Sequence, residues 1–479
     1  MLKEEFLVLL SNHIWLYLLL ALLSFILYFL LFKRYMYTIF DPILFYLVLE
    51  FSFWLSDIIF LNLLGYLKIY YLIHFVLSQL FFLLGYYVFK PFKYKINKLK
   101  AFQNSIPKNS NYIELIFVIS ISLYFINQLI VYKYLGIPLL MKSRWETFAK
   151  GGGLGIFSRI IQVTRFISVF LLFYYTMYFR NNIMKKFIYT VLWIVIIIFS
   201  LLSGSKMGIL EIIYICFFAY IYFYKLGINT TNVEKKIKKL VLILLILSIV
   251  GALIIVDIGY AIIHNFDKQE IMSFNLDTLL YSLVGIVGRL VMNGYIYILS
   301  YPNDAMWNLE RGNPFMNLFG GLLAFFRIIP YKDMPIEFGY RIELYHYPNI
   351  GYITGPTVHF DVFGLFNFGF FPSLLFAFLV GLLFSLVYNG FYYIKSKNFG
   401  YYIFFSAIAF YSLTLPLNVG VTLVYLLNVL IFVPIIFVIS RIVSSGAMKS
   451  KFKAQNYELH GRFYNNLYEP MEKGGEKNI

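Results

Sequence analysis

Four short stretches hold the residues able to do chemistry. In KSRWETFAKGGGLG, Lys142 to Gly155, the cations Lys142, Arg144 and Lys150 face a single acid, Glu146, and Arg159 and Arg165 follow. Consecutive glycines let backbone N–H groups approach a ligand and form an anion-binding nest. Arg144, Lys150, Gly155 and Arg159 are therefore a candidate anion clamp; a flexible loop whose lysines touch lipid headgroups is the plainer account. SGSK, Ser203 to Lys206, joins two apolar runs with no room for a loop. At a helix start, the dipole and the free N–H groups both favour an anion, to which Lys206 adds its charge, although Lys206 could instead snorkel to headgroups. In VGIVGRLVMN, Arg289 sits in an apolar stretch where an unpaired guanidinium is costly. It is either a functional cation or the partner of Asp257 or Asp277. TGPTVHFDVFGLFNFGF places His359 and Asp361 just before a new apolar run. A neutral imidazole there can take a proton from a hydroxyl, while a helix cap is its simpler role.

The residues from Tyr301 to His359 mix Arg311, Arg327, Lys332 and Arg341 with Asp304, Glu310, Asp333, Glu337 and Glu343. No two acids stand at i and i+2, and there is no P-loop, HExxH or Cys/His cluster, so neither a metal nor another cofactor is expected and the cations must do that work. The net charge of +17 is assigned to loops that set topology and not to nucleic acid.

The elements that must position these residues are transmembrane helices. The chain of 479 residues is 61% hydrophobic and 13% charged with mean hydropathy +0.76, outside the range of soluble domains. Apolar runs long enough to cross a bilayer predict spans near 10–32, 40–62, 69–89, 112–134, 159–179, 187–203, 207–225, 240–263, 365–388, 400–416 and 420–440, with an awkward helix at 278–300. The expectation is an all-α polytopic bundle of eleven or twelve spans forming one integral membrane domain over 1–479. Lysine-rich connections at 90–108 and 233–239 read as cytoplasmic, as does a basic tail over 442–479. Alternation then puts 135–158, the Lys206 break and a large loop at 301–360 outside; with eleven spans it puts the N-terminus outside as well, and with a twelfth helix near the start it puts it in the cytoplasm. The apolar PFMNLFGGLLAFF within that loop suits a surface-lying segment.

In this order along one face, the motifs resemble those of the O-antigen polymerases (Wzy-type oligosaccharide repeat unit polymerases) in the O-antigen polymerase and ligase superfamily. SGSK at 203–206 is similar to that family's SGSR, Gly288-Arg289 to the Gly-Arg before its large loop, and His359 with FGLFNFGF to the motif that closes the loop. Arg144 through Gly155 fits an arginine, ten-residue gap, glycine pattern of some polymerases; Arg341 with Gly351 is one residue short of a second copy. The resemblance implies a GT-C-like bundle in the bacterial inner membrane with a periplasmic site. It also implies transfer of a growing glycan from undecaprenyl pyrophosphate to a hydroxyl of the next lipid-linked repeat unit. Catalytic roles then fall to Arg289, Lys206, His359 and Glu343, and substrate contacts to Arg144, Lys150, Gly155, Arg159, Arg327, Arg341 and Asp361. The partners implied are the lipid-linked donor and acceptor, the bilayer and a chain-length regulator. An O-antigen ligase shares this chemistry, and a lipid-linked oligosaccharide flippase shares the span number.

Overall fold

A computed structural model of the chain describes residues 1–38, 41–89, 111–141, 155–178, 183–205, 208–225, parts of 242–253, 292–330, 333–349, 354–393 and 399–467. Among them every regular element is helical, and eight segments are long and apolar enough to cross a membrane. Their outward side chains are apolar: Leu19, Leu22, Leu23 and Leu30 on one helix are each about half exposed or more, as expected of a surface that meets lipid.

The chain opens with α1 (Lys3–Asn12), whose first turn carries Glu4 and Glu5, and breaks at His13 before α2 (Ile14–Phe32). The expected 10–32 span thus begins at Ile14, with α1 as a separate element. A π-helical turn, Leu44–Leu49, continues into α3 (Glu50–Leu63), followed by α4 (Ile69–Tyr87), α5 (Asn111–Leu135), α6 (Gly155–Tyr178), α7 (Ile183–Leu202) and α8 (Gly208–Lys225). After Met292–Gly294 come the short α9 (Tyr295–Ser300), α10 (Pro314–Phe325), α11 (Phe338–His346), α12 (Phe360–Phe368), α13 (Phe370–Tyr393), α14 (Phe399–Ser412) and α15 (Val419–Leu467). The segment 301–360 is therefore built from helical pieces, and α15 runs unbroken past Arg441, so the basic tail begins as a continuation of the last span.

Contacts sort the helix ends into two groups. At one end the Lys3 N–H donates to Tyr347 OH (2.8 Å) and Tyr347 OH donates to Glu4 (2.9 Å), while Lys68 pairs with Asp304 and Asn418 donates to Glu337. At the other, Tyr87 OH donates to the Leu31 carbonyl (2.9 Å) and Tyr388 OH to Asp41 (2.7 Å). The N-terminus and the 301–360 segment thus share an end.

Helices α4 and α13 run parallel in close backbone contact. Gly85 abuts the Phe378 carbonyl and Gly381 the Phe82 carbonyl so tightly that a Cβ at either would overlap backbone. Small residues permit such backbone contact between membrane helices.

Candidate functional site

The site is built on a hairpin that the expected 365–388 span concealed. α12 stops at Gly369, whose φ of +79° is a left-handed conformation that suits glycine. The chain then reverses into α13, and Gly364 lies against Ser373 and Phe376. At the corner, Phe370 packs beside Tyr70 (5.3 Å between rings), near the start of α4. Phe360, at the other end of α12, packs on Phe82 (5.1 Å), about 18 Å further along α4 at 1.5 Å per residue. The chain therefore reaches inward to residue 359, climbs along α12 and descends again as α13. A re-entrant segment of this kind is tolerated where protein surrounds it, and α12 from Phe360 to Asn367 is buried throughout.

Its inner tip carries His359 and Asp361. The His359 ring stacks on Trp54 (3.7 Å between centroids, 17° between planes), midway along the span 44–63, and lies 5.3 Å from the Tyr297 ring. Tyr297 OH donates to the Asp361 carboxylate, 3.0 Å from each oxygen. One tyrosine of α9 thus touches both candidates. His359 is 3% exposed, Asp361 is fully buried, and His359 Nδ1 has no hydrogen-bond partner among the described residues.

α9 is the hub of this region. Tyr295 OH donates to Glu343 (3.3 Å), and His346 Nε2 lies 2.8 Å from the Leu299 carbonyl. Glu343 is 7% exposed and burial raises its pKa. Gly294, just before α9, lies against the carboxylate of Asp57, which also accepts Tyr17 OH at 2.7 Å. Trp54, Tyr297, Asp57 and Tyr17 were not foreseen. Asp57 left a signal, a lone acid inside the apolar run WLSDIIF; the tyrosines and the tryptophan did not stand out in a chain with 21% aromatic residues.

The structure joins His359 with Asp361, and Glu343 to the same short helix. Three of the candidate cations, Arg159, Arg327 and Arg341, are described. Arg159 sits over the Phe325 ring (4.4 Å) at the end of α10, two residues before exposed Arg327. Arg341 donates to the Glu310 carbonyl and lies 5.8 Å from the Phe366 ring. Gly155 opens α6 with open space where a Cβ would project. Arg144, Lys150, Lys206 and Arg289 lie outside the described residues.

The turn around SGSK is defined on both sides of Lys206. Ser203 Oγ donates to the Ser200 carbonyl (2.6 Å) and accepts the Ser205 N–H (3.3 Å), Gly204 has φ +64°, and the Gly208 N–H donates to the Ser205 carbonyl (3.0 Å). Arg165 reaches this turn, donating to Glu211 (2.8 Å), the Gly208 carbonyl (2.6 Å) and Ser200 Oγ (3.3 Å). The negative charge favoured by the start of α8 is thus supplied within the chain by Glu211.

Comparison with protein-family models, with curated proteins and with solved structures finds no match to this chain.

Proposed function

We propose that this chain is a membrane-embedded glycosyltransferase of the O-antigen polymerase kind, joining polyprenyl-pyrophosphate-linked oligosaccharide units at the outer face of a bacterial cytoplasmic membrane. Support comes above all from Asp361 and His359, held together by Tyr297 at the inner tip of a re-entrant helix that enters from the end of the bundle bearing the 301–360 segment. In the proposed step a hydroxyl oxygen of the acceptor sugar attacks the anomeric carbon of the growing glycan. The bond from that carbon to the pyrophosphate oxygen breaks, its electron pair leaves with the polyprenyl pyrophosphate, and the hydroxyl proton passes to a base. We assign the base to Asp361, the carboxylate that shares Tyr297 with His359, while His359 Nδ1, without a partner among the described residues, orients the hydroxyl. Proton transfer requires Tyr297 to release its hydrogen bond. Charge gathering on the pyrophosphate would be met by cations, for which Arg159, Arg327 and Arg341 stand at the same end, with Arg144, Lys150, Lys206 and Arg289 as the sequence-based candidates.

The test is genetic and then biochemical. Deleting the gene from its host should leave surface glycan one repeat long, and Asp361→Asn should fail to restore the polymer ladder while the protein still reaches the membrane. Loss of all surface glycan, with lipid-linked units held on the cytoplasmic side, would mark a flippase. Free polymer that is never attached to its lipid acceptor would mark a ligase.

A further inference from the structure

α6 presents Arg159, Gln162 and Arg165 at three-residue intervals, so they share one face and descend into the bundle by about 4.5 Å per step. Each meets a different helix. Arg159 lies over Phe325 of α10. Gln162 accepts Tyr411 OH of α14 at its carbonyl (2.6 Å) and Asn428 Nδ2 of α15 at Oε1 (2.8 Å). Arg165 holds Glu211 of α8. Tyr46, Tyr124 and Tyr411 lie within electrostatic reach of the Arg165–Glu211 pair.

This seam has hydrogen-bonding capacity left over. Gln162 Nε2, Arg165 Nε and Asn428 Oδ1 are buried without a partner among the described residues, and Asn428 is only 1% exposed. Two free donors and one free acceptor in one interior seam would be costly if left dry. The Arg165 and Glu211 side chains nonetheless keep 18% and 30% exposure, which gives the seam an opening. Glu211 offsets the charge of Arg165. The centre therefore offers mixed donors, acceptors and tyrosine faces with little net charge, which suits hydroxyl groups better than a diphosphate.

We propose that this seam of α6, α8, α14 and α15 is a second ligand site, one that takes the hydroxyl groups of an uncharged stretch of oligosaccharide. It is distinct from the His359–Asp361 cluster, to which it is joined by the α14–α15 turn, where the Pro416 carbonyl accepts the Phe360 N–H (3.1 Å). The class of ligand rests on the glycosyltransferase reading; binding itself needs no turnover.

The experiment is titration calorimetry of the full chain in detergent with the lipid-free repeat-unit oligosaccharide released from the host's surface glycan. The double variant Gln162→Leu/Asn428→Leu removes both amides together and so strands neither. It should bind the oligosaccharide about tenfold more weakly or worse, the loss expected from one or two hydrogen bonds, with its melting temperature and its binding of inorganic pyrophosphate unchanged. Gln162→Glu keeps the shape and exchanges the free donor for an acceptor; it should weaken binding likewise and serves as the deciding variant if the double variant does not fold. Absence of binding by the wild type, or equal binding by these variants, overturns the proposal and leaves the seam to ordered water. Failure of the glycosyltransferase reading would appear differently, as oligosaccharide binding by a wild type that never extends a lipid-linked unit.

Discussion

Asp361 is fully buried, and Tyr297 OH donates to both of its carboxylate oxygens. Tyr297→Phe removes that donor and keeps the ring, so it should cost about 1–3 kcal/mol in detergent melting; an unchanged melting temperature would show that the hydrogen bond adds no stability. At this scale the sequence shows residue types and their spacing: His359 and Asp361 stand two positions apart before an apolar run, but their joint packing on one tyrosine is not encoded by neighbouring letters. Tyr297 lies more than sixty positions from Asp361 in the chain, and nothing local announces the pairing.

Helices reveal a different limit. Hydropathy reads FDVFGLFNFGFFPSLLF as one apolar run, and only Gly369 and Pro372 hint that it folds back on itself. The long, isolated runs were legible because twenty apolar residues leave few alternatives, whereas α9 and α12 are each under ten residues and take their form from packing. The α4–α13 contact is equally invisible in sequence, since a helical glycine does not state what it faces. It makes a sharp prediction: Gly381→Leu should destabilise the protein by about 1–3 kcal/mol or prevent folding, because overpacking against backbone has nowhere to relax. Gly390→Ala, on the same helix with open space at its Cβ, should be neutral. Detergent melting curves of the two variants settle the comparison, and similar losses would deny that backbone contact matters. Gly155→Ala should also leave the melting temperature unchanged, so any loss of elongation in that variant would report on substrate.

For the whole molecule, contacts bring the N-terminus and the 301–360 segment to one end, while the lysine-rich connections at 90–108 and 233–239, from which the sidedness is expected, lie outside the described residues. Cys216, the only cysteine, is buried, which makes the natural protein a suitable background for labelling. Single cysteines at Lys68 and Arg327 should react with an impermeant maleimide added outside intact cells, and one at Ser445 only after the membrane is opened; reaction of all three from outside would refute the arrangement. The link between α1 and α11 bears on biogenesis. Lys3 and Glu4 are fastened by Tyr347, 344 and 343 positions later, so α1 waits for its anchor until α11 has been made. The glycine face of α4 waits almost as long for α13, and throughout that interval lipid or an insertion chaperone must occupy the groove that the late helix will claim.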